Sequence, residues 1–128
     1  MKTLIKTKNA PEAIGPYSQA IAVNGFLFTA GQIPIVPATG KFIEGGIKEQ
    51  TRQVLENVKA VIEAGNSSMS MTVKTTVYLT NAENFTAMNE VYATYFNAND
   101  TPPARSTVFV VSLPKGALVE IDAVTALD

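Results

Sequence analysis

The stretch from Ser18 to Ala30 constrains this chain most: two apolar, strand-like runs, Ser18 to Val23 and Phe26 to Ala30, are joined by Asn24-Gly25 alone. Asn-Gly favours the type I′ turn, whose twist matches that of paired strands, so the segment is predicted to be a β-hairpin. Ahead of it, Thr3 to Thr7 reads as a short first strand that Ala10-Pro11 ends. Behind it, the Pro and Gly punctuation from Gly31 to Gly46 marks a long loop whose backbone is free to contact a ligand or partner.

The rest of the chain alternates between helical and extended patterns. From Ile47 to Ala64, Val54, Leu55, Val58, Val61 and Ile62 form a one-sided stripe that predicts an amphipathic helix ending near Gly65. Val73 to Leu79 is rich in β-branched and aromatic residues and reads as a strand. Thr80 and Glu83 have the spacing of a capping box. Phe85, Met88, Val91, Tyr92, Tyr95 and Phe96 then predict a second helix running to about Asn97. Two strand-like runs follow, Ser106 to Leu113 and Leu118 to Ala126, separated by Pro114-Lys115-Gly116. The order β-β-β-α-β-α-β-β predicts an α+β fold in which two helices cover one face of a mixed sheet.

At 128 residues without repeats or linkers, the chain fits one domain spanning 1–128. Only 16% of its residues are charged, against roughly 25% in an average soluble domain. The last strands would also show Val108, Val110, Val119, Ile121 and Ala123, or their neighbours, on the uncovered sheet face. Both features point to association with further copies of the chain.

Absent residue types narrow the chemistry. With no Cys, His or Trp, no disulfide framework is available, a structural zinc site lacks its usual ligands, and a Ser-His-Asp triad lacks its base. The formal charge of −1 offers no polybasic face for nucleic acid. The opening MKTLIKTKNAPEAIG lacks a continuous apolar region, and no run approaches the ~20 apolar residues of a membrane span, so a cytoplasmic protein without membrane contact is expected.

Lys, Arg, acids, Tyr, hydroxyls and backbone remain. Arg105 follows two prolines at a strand entrance and offers a planar fork suited to a carboxylate, or it is an ordinary salt-bridging surface residue. Glu120, inside the apolar run Ala117-Leu118-Val119-Glu120-Ile121, is a carboxylate on a solvated strand face or a partly desolvated acid/base. Tyr17 is a packing residue with a wet tip or a hydroxyl presented beside the hairpin. Gly31 ends a strand or directs an unshielded backbone N–H at an anion. Asn89 lies beside the apolar stripe of the second helix, a position more often solvent-facing than functional.

Several segments together resemble one family: IGPYSQA (14–20), GQIP (31–34), EQTRQ (49–53), VKTTV (73–77), and above all PARS (103–106) leading to VEI (119–121). The pattern is similar to that of the reactive intermediate deaminases (RidA, also YjgF), in order and over essentially the whole chain. The resemblance implies a chorismate-mutase-like fold and a homotrimer with an inner barrel and inter-subunit sites. It implies hydrolysis of enamines and imines such as 2-aminoacrylate and 2-iminobutanoate to 2-oxo acids and ammonia, with no metal or organic cofactor. In that family pattern Arg105 grips the substrate carboxylate, Gly31 donates its N–H, and Glu120 positions the attacking water. Tyr17 lines the cleft from a neighbouring subunit, and Asn89 stands at its wall. Two positions depart from the pattern: Ala30 replaces a common hydroxyl residue, and Thr107 replaces a common Cys, which excludes a thiol role. The alternative is a non-catalytic trimer of the same fold that binds a small carboxylate or acts as a regulatory or chaperone-like partner. A pure carboxylate binder needs Arg105 but gains nothing from Glu120, so the pair favours the enzyme. RNA cleavage is disfavoured by the acidic balance and the absent His.

Overall fold

In the computed structural model, which describes residues 1–97 and 100–128, Asn24 and Gly25 carry φ of 50° and 80°. These are the left-handed values that a type I′ turn demands. The turn joins β2 (Ala20–Val23) to β3 (Phe26–Thr29), with Val23 opposite Phe26. Strand β1 (Thr3–Ile5) pairs with β2, and three later strands extend the sheet on the other side. Short strands β4 (Ile35–Val36) and β5 (Lys41–Phe42) pair only with each other. After α1 (Ile47–Ala64) come β6 (Thr72–Leu79), α2 (Phe85–Tyr95), β7 (Ala104–Phe109) and β8 (Val119–Ala126).

The main sheet has six strands in the order β1-β2-β3-β8-β6-β7. All neighbours run antiparallel except β6 and β7, which are parallel. A parallel pair needs a crossover, and α2 supplies it. Both helices lie on one face. Val54, Leu55, Val58, Val61 and Ile62 of α1 are fully buried against Leu27, Val77, Val119 and Ile121 of the sheet and Met88 of α2. Helix α1 stops in a Schellman arrangement, with Ser67 N–H donating to Ile62 O and Asn66 N–H to Glu63 O, while Asn66 takes a φ of 63°. Among the described residues, no helix is long and apolar enough to cross a membrane.

Several expectations need correction. The first strand ends at Ile5 rather than Thr7, and the long loop contains the β4–β5 pair. Thr80 does not cap the second helix. Asn81 Oδ1 accepts from Glu83 N–H at 2.9 Å, and a short 3₁₀ turn leads into α2, which ends at Tyr95. Strand β7 covers Ala104–Phe109 instead of Ser106 to Leu113. Val119, Ile121 and Ala123 are buried under the helices, so the open face of β8 carries their neighbours Glu120, Asp122 and Val124. Phe26, Phe28 and Val108 remain exposed on the sheet.

Three buried amides, none of them evident as structural residues in the pattern, tie loops to this frame. Asn57 on α1 donates to Ile33 O (3.1 Å) and Ile35 O (2.9 Å), fixing the segment after Gly31. Gln50 Oε1 accepts from Leu118 N–H at 2.9 Å at the entrance to β8. Gln19 accepts from Thr7 N–H and donates to Thr7 O and Pro11 O, anchoring the N-terminal loop. Replacing Asn57 by Ala leaves two carbonyls without their donor, so Asn57→Ala is expected to lower stability by about 1–3 kcal/mol in urea denaturation. An unchanged midpoint would show that these bonds contribute nothing net.

Candidate functional site

Arg105 enters β7 opposite Thr75 of β6, and that register turns its side chain to the helix-covered face. There its Nη1 donates to Asn89 Oδ1 at 2.7 Å. The guanidinium lies 4.7 Å from the centroid of the Tyr92 ring and 5.7 Å from that of Phe85, within the range of cation–π attraction. Tyr92 is itself fixed by a 2.7 Å hydrogen bond between its hydroxyl and Thr75 Oγ1. One N–H of the fork is thus used to orient it, while the remaining donors have no hydrogen bond among the described residues and are available to an anion. Thr107, two residues further along β7, has the same facing, and Val77 is its partner in register.

Glu120 lies opposite Tyr78 in β8 and faces the other side of the sheet. Gln32 pairs with Ile121 through two backbone bonds, Gln32 N–H to Ile121 O (2.9 Å) and Ile121 N–H to Gln32 O (3.2 Å). This places Gly31 directly against Glu120. A Cβ at residue 31 would run into the Glu120 carboxylate, so a larger residue there would require that side chain to shift. The Gly31 amide makes no hydrogen bond among the described residues and is free to meet an anion. Gly31 and Tyr17 both line a cleft of about 370 Å³, with Glu12, Gln32, Pro114 and Lys115. A larger groove of about 830 Å³ lies along the N-terminal loop, and Arg105, Gly31 and Glu120 are not part of its wall.

Burial pushes the Glu120 carboxyl above the usual range, and the nearby Asp122 carboxylate adds to the shift. Asp122 is also raised by burial, opposed by hydrogen bonds from Tyr78 and Thr76 and by the charge of Lys74. Glu120 therefore has the partly desolvated environment of an acid/base, not that of a solvated strand face.

The candidate residues separate into two groups. Arg105, Asn89 and Thr107 belong to the helix side of β6–β7. Glu120, Gly31 and Tyr17 belong to the open side and the adjoining cleft, with Ala30 next in chain, its N–H donating to Gln19 O at 2.8 Å. Within one chain the sheet stands between Arg105 and Glu120. Helical spacing marks Tyr92 and Phe85 as core and cannot show that both rings stack on Arg105 at the end of the stripe. Among the described residues, no group of three or more acids, His or Cys is placed to hold a metal ion.

Comparison with known proteins places the chain in a family and matches its overall fold. The family model described as Endoribonuclease L-PSP matches residues 7–127. A RutC family protein of Pyrococcus horikoshii is 56% identical over 124 residues, covering 97% of each chain. The chloroplastic Reactive Intermediate Deaminase A of Arabidopsis thaliana is 42% identical over 126 residues, covering 98% of this chain and 66% of that protein. The crystal structure of TdcF of E. coli with bound serine superposes with a TM-score of 0.93 at 40% identity, covering 98% of this chain and 99% of that one.

The environment of Glu120 sets a pH dependence of stability. The unfolded chain ionises this residue at the ordinary value of 4.5, whereas the folded carboxyl keeps its proton to higher pH. Its contribution to stability is fully present below the ordinary value and is lost as pH rises through the raised folded value. Glu120→Gln, neutral throughout, escapes that loss. Its melting temperature is expected to match or trail wild type at acid pH and to gain on it as pH rises to neutrality. A difference that stays constant with pH would contradict the assigned environment.

Proposed function

The chain belongs to the Endoribonuclease L-PSP family, and from that premise we propose that it is a deaminase of reactive imines and enamines. The substrates proposed are small 2-imino acids of the 2-iminobutanoate type and their enamine tautomers such as 2-aminoacrylate, and the products are 2-oxo acids and ammonia. The observation that carries the reading is the pairing of an anion grip with a desolvated acid/base. Arg105 is pre-oriented by Asn89 and Tyr92, and Glu120 stands beside the free amide of Gly31. The name of the Arabidopsis relative and the serine bound to TdcF support a small amino-acid-derived carboxylate as ligand.

Because Arg105 and Glu120 face opposite sides of one sheet, a small substrate that meets both needs two copies of the chain. We therefore propose a homotrimer whose open sheet faces form an inner barrel, with each site between subunits. In it, Arg105, Asn89 and Thr107 of one copy oppose Gly31, Glu120 and Tyr17 of the next. The low charge content and the exposed Phe26, Phe28 and Val108 fit such burial.

An imine carbon is already electrophilic, so orientation and proton transfer supply much of the catalysis. Arg105 and the Gly31 amide hold the carboxylate. With the imine protonated, Glu120 accepts a proton as water adds to C2, giving a neutral tetrahedral carbinolamine. That proton passes to nitrogen, with the Tyr17 hydroxyl beside it. As the C–N bond breaks and ammonia leaves, the carbinolamine hydroxyl gives its proton to Glu120, the 2-oxo acid is formed, and ammonia takes up the proton to reset the site. RNA cleavage finds no comparable support, since a formal charge of −1 neutralises little phosphate and the chain has no His for acid–base work.

The test is ammonia release from 2-iminobutanoate generated in situ by threonine dehydratase. Wild type is expected to accelerate it. Arg105→Lys keeps the charge but loses the fork, and kcat/KM is expected to fall by about 1.5–3 kcal/mol in transition-state stabilisation. Near-wild-type kinetics in that variant would make Arg105 structural. Binding of 2-oxobutanoate without turnover by wild type would favour the carboxylate-binding alternative.

A further inference from the structure

The open sheet face holds a second carboxylate that the proposed reaction does not use. Asp122 follows Glu120 by two residues on β8, so the two side chains share a face and their Cα atoms lie roughly 7 Å apart. Their surroundings differ. Tyr78, opposite Glu120 in register, donates its hydroxyl to Asp122 Oδ2 at 3.1 Å. Thr76, opposite Asp122, adds hydrogen bonds of its own. Glu120 has no hydrogen-bond partner among the described residues, and its carboxylate rests against Gly31. One acid is pinned and the other is left free beside the cleft.

We propose that Asp122 is a positioning residue for Glu120: a hydrogen-bonded anion on the same face that makes its neighbour a stronger base toward water. The catalytic consequence rests on the deaminase reading, whereas the coupling of the two carboxylates does not. A like charge at this separation disfavours ionisation of Glu120, in the same direction as burial. Tyr78 reaches across from the Glu120 register position to Asp122, so it holds the charge in place without occupying the Glu120 oxygens. The remaining charged and titratable groups nearby are few. Lys74 of β6 acts on Asp122 and donates to Ser106 Oγ at 2.9 Å. Glu12, Tyr17 and Lys115 line the cleft on the far side of Gly31. In the proposed assembly, Arg105 of a second copy completes the set.

The proposal is tested on the full-length protein with Asp122→Asn, which keeps an acceptor for Tyr78, and Tyr78→Phe, which keeps both acids but releases Asp122. Two readouts are taken: the pH profile of kcat/KM, and a ¹³C-carboxyl NMR titration of Glu120, assigned with Glu120→Gln. In Asp122→Asn the Glu120 titration and the acid limb of the profile are expected to move together to lower pH by about 0.5–1 unit. Tyr78→Phe should move both the same way by less. A Glu120 titration unchanged or moved upward in folded Asp122→Asn overturns the proposal. If Asp122→Asn does not fold, the titration in Tyr78→Phe decides by the same criterion. A shifted titration in a protein whose wild type releases no ammonia would uphold the coupling and overturn the deaminase reading.

Discussion

Strand β8 is hydrogen-bonded on both edges, to β3 and to β6, so its side chains have only two directions to take. Val119, Ile121 and Ala123 turn toward the helices and are buried, and Glu120 and Asp122 turn the other way. Moving this strand by one residue would exchange the two sets, burying two acids in the core and exposing its apolar contacts. The hydrophobic demand of α1 and α2 therefore aims Glu120 at the open face. The Gln32–Ile121 backbone pair brings Gly31 against it. The same sheet holds Arg105 on the opposite side, where Asn89 and Tyr92 orient it.

Most of the frame was legible from sequence because its signals are local. The Asn24-Gly25 turn, the stripe of α1 and the alternation of β8 each follow from spacing within a few residues. Boundaries shifted where local signals compete, as at Thr80, where Asn81 supplies the accepting side chain instead. Whether Val119, Ile121 and Ala123 or their neighbours face outward is open from sequence, since period 2 reveals alternation but not which set lies inward; the helices bury the named set. The residues that brace the site, Gln19, Gln50 and Asn57, were not visible. Their partners are backbone groups 8 to 68 positions away, and no local spacing encodes such bonds.

The site also costs the fold something. Glu120 and Asp122 are both raised by burial, so neutral pH asks the sheet to carry two partly desolvated carboxylates on one strand. Asp122 recovers part of that penalty from Tyr78 and Thr76, while Glu120 has no such hydrogen bond among the described residues. In the proposed reaction, a ligand and a water complete an acid that has no hydrogen-bond partner among the described residues and stands beside the Gly31 amide.

The central claim is that one chain holds only half a site. Co-refolding Arg105→Ala chains with Glu120→Gln chains tests it most directly. If each site takes Arg105 from one copy and Glu120 from the next, mixed trimers contain sites in which both residues are intact. A random equal mixture should then recover roughly a quarter of wild-type deaminase activity, although each variant alone is nearly inactive. A co-refolded mixture as inactive as its two parents would contradict the shared site.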